Sequence, residues 1–227
     1  QLYGDFSGGI DITRGVAKLF GIDLAENFRR PLYATSLTDF WRRWHITLGR
    51  WFRDYLYIPL GGSRQGQSKH IRNLLIVWLA TGIWHGSTGN FLLWGLFLFA
   101  LIASEKLWIG EKLARHRLLS HLYMFFAITL SWLFFAITDL GNIGIYLGQL
   151  FTGFDFGNSA TLDFIHYGKE YGLLLLTGII LAMPGPAKLW QRMRHSLFGT
   201  IILLLIFWLS IYCLSAGLND PFMYFSF

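Results

Sequence analysis

The chain has 227 residues, of which 54% are hydrophobic and 14% charged, with a mean hydropathy of +0.44. Soluble domains carry about 25% charged residues, so this composition excludes an ordinary soluble enzyme and indicates a membrane protein. A formal charge of +6 would suggest nucleic acid in a soluble chain, but here Lys and Arg collect between apolar runs, as on the cytoplasmic side of a membrane, and no nucleic-acid partner is expected.

The chain opens on Gln1 and runs directly into "QLYGDFSGGIDITRGVAKLFGI", with no signal-peptide pattern. We therefore expect the C-terminal part of a longer membrane protein, forming a single membrane domain over 1–227. Phe6–Phe20 mixes Gly, Asp5, Asp11, Arg14 and Lys18 with apolar residues and predicts a helix packed against protein. A polar connection with Pro31 follows. Ser36-Leu37-Thr38-Asp39 is a capping-box pattern, which starts a helix near Leu37.

That predicted helix carries "DFWRRWHITLGRWFRDYLYIPLGG", positions 39–62. At helical spacing Trp41, Trp44, Leu48, Trp51, Phe52 and Tyr55 share one face, with His45 among them, and Arg42, Arg43, Arg50 and Arg53 lie elsewhere. An interfacial amphipathic helix with Trp anchors accounts for the tryptophans and arginines. It does not account for a histidine in the apolar stripe.

Positions 73–104 read as two apolar halves, Leu74–Trp84 and Phe91–Ala103, interrupted by His85-Gly86-Ser87-Thr88-Gly89-Asn90. Each half is shorter than the ~20 residues that cross a bilayer. Both flanks are basic. A re-entrant or broken helix pair fits these facts, because irregular backbone at membrane depth is tolerated where it is buried in protein or lines a wet cavity. Three further spans are expected at Leu118–Ile137, around Tyr171–Met183 ahead of Pro184, and at Leu197–Leu218. The loop 138–170 is expected to hold a short amphipathic helix over Ile143–Phe151. Basic residues place 105–117 and 184–195 inside, and 138–170 and the C-terminus outside. Cys213 sits in an apolar span and reads as a small hydrophobe.

Of the seven histidines, His70, His116 and His195 sit beside Lys or Arg, and His121 and His166 fall near a span boundary and in the outer loop. His85 and His45 differ, because they interrupt apolar surfaces, and ionisable groups at membrane depth are costly and commonly functional. A neutral imidazole suits general-base chemistry near neutral pH, for instance taking a proton from a hydroxyl that attacks an acyl carbonyl. No G-x-S-x-G elbow, H-E-x-x-H pair, Cys cluster or phosphate-binding Gly loop accompanies them, so no metal site is expected.

"DFWRRWHITLGRWFRDYLYIPLGGSR" followed by "RNLLIVWLATGIWHG" resembles the membrane-bound O-acyltransferase family, in its bacterial alginate O-acetyltransferase-like branch. "GDFSGGIDITRGVAKLFGIDLAENFRRP" and the closing "DPFMYFSF" are also similar to that branch. The resemblance covers nearly the whole chain and is strongest over 5–95. It implies an all-α, polytopic membrane protein, a multi-helix bundle around a central tunnel, whose N-terminal helices are absent here. It implies His85 of the WHG motif as the catalytic residue and His45 as the second histidine. Trp41, Trp44, Trp84, Asn73 and Tyr55 would line the tunnel or substrate path, and Arg42, Arg43, Arg50 and Arg53 would form a basic donor side.

The implied function is O-acetylation of an extracellular or cell-wall polysaccharide by a multi-pass enzyme of the bacterial inner membrane. No cofactor would be permanently bound. The donor would be acetyl-CoA or a phosphopantetheine thioester on a cytoplasmic acyl carrier protein. Implied partners are membrane lipids, the polysaccharide acceptor and an exported transferase of the SGNH type. D-alanyl transfer toward teichoic acid, and a non-catalytic transporter or channel subunit, are the alternative readings.

Overall fold

A computed structural model of the chain describes residues 2–152 and 158–217, and these are mostly helical, without a strand among them. The chain divides into two compact units, one of Gly9–Thr152 and one of Gln1–Gly8 with Gly153–Phe227. Each is described by itself.

Helix α1 (Leu2–Leu19) forms where the sequence predicts it, but buries none of its residues. Ile12, Val16 and Leu19 are exposed in this chain, while Arg14 Nε donates to the Leu24 carbonyl at 3.4 Å. The capping box is realised at the start of α2 (Leu37–Arg43), where Ser36 Oγ accepts the Asp39 N–H at 3.1 Å. The single helix expected over 39–62 is not formed. Instead α2 ends at Trp44, α3 (Ile46–Phe52) begins after His45, and a π-helical turn covers Arg53–Tyr57.

The centre of this unit is a hairpin of α4 (Gln67–His85) and α5 (Gly89–Ser104). Two glycines bring its arms together. A Cβ on Gly82 would lie 2.5 Å from the Phe91 carbonyl oxygen, and one on Gly95 2.5 Å from that of Trp78. The pairings 82 with 91 and 78 with 95 are those of antiparallel helices in direct backbone contact, the use to which small residues are put in membrane helix pairs. The broken helix pair expected over 73–104 is present, and the expectation that each half falls short of a span is corrected for the second half alone. Helix α5 continues through a π-helical turn, Glu105–Ile109, into α6 (Gly110–Arg115), and Gly89–Arg115 is long and apolar enough to cross a membrane alone.

Helix α7 (Arg117–Ala136) is a second such span, packed on α5. Asn90, fully buried, joins the two: its Nδ2 donates to the carbonyls of Phe134 (3.2 Å) and Phe135 (3.1 Å), satisfying backbone acceptors at the end of α7. Helix α8 (Leu140–Thr152) occupies the expected amphipathic segment.

In the other unit, α9 (Asn158–Ala182) starts well before the expected Tyr171, so that span is a longer helix than the sequence suggests. It bends by 72° into α10 (Pro184–Met193). Pro184 has no N–H to continue the ladder and sits at a helix start, where none is needed. Helix α11 (Leu197–Ser215) is the third span, capped by Ser196 Oγ on the Gly199 N–H at 3.1 Å, with Cys213 half-buried. The expected end of this span at Leu218 and the motif at 220–227 lie outside the described residues.

The hairpin should be intolerant of bulk at its crossing. Gly95→Leu is expected to lower the thermal midpoint of the detergent-solubilised protein, by overpacking of about 1–3 kcal/mol or more. The same change at Gly144, where a Cβ meets nothing within 4 Å, should leave it unchanged.

Candidate active site

His45 sits in the break between α2 and α3, in a left-handed backbone conformation (φ 45°, ψ 54°). Residues with a Cβ reach that region at a cost of order 1–3 kcal/mol unless their surroundings hold them. The strand-like segment 27–29 provides the hold. Arg29 N–H donates to the Arg43 carbonyl at 2.9 Å, and Ile46 N–H donates to the Asn27 carbonyl at 3.0 Å. The Asn27 side chain adds to this: its Oδ1 lies 3.2 Å from His45 Nδ1 and accepts Thr47 N–H (3.2 Å) and Thr47 Oγ1–H (2.6 Å). Burial pushes the His45 imidazole down to about 4, so it is neutral at neutral pH.

The start of α2 is anchored separately. Glu105, buried in the π-helical turn, accepts Leu37 N–H at 2.6 Å and both Thr38 N–H and Thr38 Oγ1–H at 3.2 Å. An acid at the end of an apolar span is thus matched to the unpaired donors of a helix start.

His85 is the last residue of α4, where the chain turns through Gly86-Ser87-Thr88 into α5. Rings surround it. Trp84, Trp94 and Phe135 meet it edge-on at centroid distances of 4.8, 5.0 and 5.1 Å, and Phe91 lies near-parallel at 6.4 Å. Trp94 in turn touches Trp41 (5.7 Å) and Trp78 (6.0 Å), and Trp44 meets Trp132 at 5.2 Å. His45 reaches this basket through Trp84, at 6.1 Å, and the two imidazoles are within electrostatic reach of each other. The structure therefore brings together His85, His45, Trp41, Trp44 and Trp84. Trp84 is 52% exposed and forms the accessible side of the basket.

Other predicted site residues lie elsewhere. Asn73 is fully buried twelve positions before His85 on α4, about 18 Å along the helix axis. Its Nδ2 donates to the carbonyls of Leu60 (3.1 Å) and Gly62 (2.9 Å), and its Oδ1 accepts from Arg72. It fastens the turn after "RDYLYIPLGG" to α4 and does not join the histidines. Tyr55 is 71% exposed and leans on Trp51, because the helix break at His45 rotates it away from the face it would share with Trp41. Among the arginines, Arg43 is paired with Asp39 at 2.9 Å and Arg53 with Asp54 at 2.7 Å. The hydrogen bond from Arg53 holds the Asp54 carboxyl below the usual range. Arg42 and Arg50 are exposed.

The structure adds residues that sequence reading did not single out as functional: Asn27, Trp78, Glu105, Trp94 and Phe135. Glu105 carried a signal, being the first acid after Asp54 and standing at the end of an apolar run. A cavity of about 290 Å³ adjoins Asn27 and Thr47, lined also by Ile10, Thr13, Arg14 and Leu24.

A model of the membrane-bound O-acyltransferase family matches residues 1–111, which include both histidines. Across its full length the chain is 32% identical to the probable alginate O-acetylase of Pseudomonas putida, of which it covers 51%. The chain belongs to the membrane-bound O-acyltransferase family. This acyltransferase-family chain is also 41% identical, over 62% of its length, to the peptidoglycan O-acetyltransferase of Helicobacter pylori, covering 27% of that relative. To the teichoic acid D-alanyltransferase of Bacillus subtilis it is 33% identical over 42% of its length, covering 26% of that protein. It spans about half the length of the alginate O-acetylase relatives that it matches end to end. Like the family, it is a helical membrane protein.

Removing the anchor of α2 should loosen the site. Glu105→Ala leaves one buried and one part-buried backbone N–H without their acceptor and is expected to cost about 2–4 kcal/mol of stability. A lowered thermal midpoint, with Glu105→Gln in between, would report it.

Proposed function

We propose that the protein of which this chain is part is a membrane O-acetyltransferase. It passes an acetyl group from a cytoplasmic thioester toward a hydroxyl of an extracellular or cell-wall polysaccharide. The observation that carries the reading is the placement of His85, ringed by aromatic side chains at a hairpin turn, with His45 on the same Trp84 indole. The similarity to the alginate and peptidoglycan O-acetylating relatives supports acetyl over D-alanyl transfer, since it extends over more of the chain than that to the D-alanyltransferase.

In the proposed step His85 is the general base. The acceptor hydroxyl oxygen attacks the thioester carbonyl carbon. A C–O bond forms and the C–S bond breaks. The hydroxyl proton passes to the His85 imidazole and from there to the departing thiolate. Apolar rings on three sides of the imidazole limit its contact with water, which would otherwise compete as the acceptor. Trp41, Trp44 and Trp84 shape the path. Arg42 and Arg50 are exposed cations available to meet the phosphates of acetyl-CoA or of a carrier's phosphopantetheine arm. Arg43 and Arg53 are already paired with Asp39 and Asp54. The cell is bacterial and the membrane its inner one; an exported transferase of the SGNH type completes delivery, breaking the ester formed at His85, regenerating that first hydroxyl and forming an ester with a hydroxyl of the polymer.

The test uses the full-length protein in its native membrane. Labelled acetyl incorporated into surface polysaccharide is measured for wild type, His85→Ala and His45→Ala, with insertion checked for each. His85→Ala is expected to lower transfer by about 10²–10⁴-fold. Undiminished acetylation by an inserted His85→Ala protein overturns the mechanism. Incorporation of D-alanine in place of acetyl overturns the choice of acyl group.

A further inference from the structure

The hydrogen bonds around Asn27 determine which nitrogen of His45 carries its proton. Asn27 is 9% exposed and one of its side-chain atoms meets three partners: His45 Nδ1 at 3.2 Å, Thr47 N at 3.2 Å and Thr47 Oγ1 at 2.6 Å. A backbone N–H can only donate. The Asn27 atom facing Thr47 N is therefore the amide oxygen, not the amide nitrogen, and an amide oxygen can only accept. A His45 Nδ1 at hydrogen-bond distance from an obligate acceptor must carry a hydrogen. In a neutral imidazole one nitrogen is a donor and the other an acceptor.

We infer that Asn27 is a positioning residue that holds His45 as the Nδ1–H tautomer and makes Nε2 its basic nitrogen. The inference rests on the reading of His45 as part of an acyltransfer site, and it decides between roles open to that residue. A His45 whose Nε2 carries the lone pair accepts a proton or a hydrogen bond from a hydroxyl. It does not donate one from Nε2 to an acyl carbonyl in the resting state. Asn27 thus stands to His45 as a carbonyl or carboxylate stands to a histidine whose orientation and tautomer it sets.

The backbone supports the same assignment. The Asn27 carbonyl accepts Ile46 N–H at 3.0 Å, so one residue grips both the left-handed turn at His45 and its ring. Side chain and main chain together fix the ring's position as well as its protonation, which is the demand that a site with a near-attack geometry makes of its supporting residues. Thr47 is what makes the amide unambiguous: its two donors occupy the oxygen and fix the direction of the amide.

Two measurements on the full-length protein test this. The first is nitrogen NMR of histidine-labelled protein in lipid bilayers at neutral pH, with the His45 signals identified by their loss in His45→Gln. The expected result is a protonated Nδ1 and an unprotonated Nε2. An Nε2–H tautomer at His45 overturns the inference, whatever the protein's activity. The second compares Asn27→Ala with Asn27→Asp in acetyl transfer. The aspartate keeps an acceptor for Nδ1–H and is expected to retain most of the wild-type kcat. The alanine is expected to lose about 10²-fold in kcat with KM little changed. Equal loss in both variants, with the NMR tautomer unaltered, also overturns the positioning role. Loss of the Nδ1–H signature together with full activity in Asn27→Ala would sink the acyltransfer role of His45 and leave the tautomer assignment standing.

Discussion

The contact on which the first unit depends is that of two backbones. Helices α4 and α5 approach until glycine is the only residue that fits at Gly82 and Gly95. In a lipid environment no hydrophobic force drives helices together, so close van der Waals contact of this kind is what remains to hold them. The His85 side of the site is positioned from that seam. It puts His85 at the hairpin's turn, sets Trp94 beside it, and presents Asn90 to the end of α7, which then contributes Phe135.

Short segments are attached to this seam by polar groups used as fasteners. Glu105 holds the start of α2, Asn73 holds the turn after the π-helical segment, and Asn27 holds the break at His45. Each is a buried acceptor or amide whose partners include main-chain groups, and each acts across a distance in sequence that no helix periodicity would reveal. The cost of burying such groups is met because their partners are obligatory hydrogen-bonding atoms that would otherwise be unsatisfied.

How far this was legible in the sequence follows from the same distinction. Local signals read correctly: the capping box gave the start of α2 at Leu37, and apolar runs gave α7 and α11. His45 and His85 stood out because each interrupted an apolar pattern. The helix across 39–62 was misread because periodicity cannot register a single left-handed residue. His45 takes that conformation through contacts with Asn27, which is local in neither period nor motif. Tyr55 then followed the wrong face. Asn73 was placed on the substrate path by the resemblance alone, and its sequence neighbours do not distinguish a lining residue from a backbone clamp. The extension of α5 through Glu105 was hidden by the charges that begin there, which read as the end of a span.

Trp41, Trp78, Trp84 and Trp94 belong to one basket, and the centroids of Trp41, Trp78 and Trp94 lie 5.1–6.0 Å apart at steep mutual angles. Indoles this close and this fixed share their electronic excitation. Their coupled transitions contribute to the folded protein a near-ultraviolet circular-dichroism signal that arises from indoles beside the histidines and fades when tertiary packing is lost. The chain carries its own optical probe at the place where its chemistry is assigned.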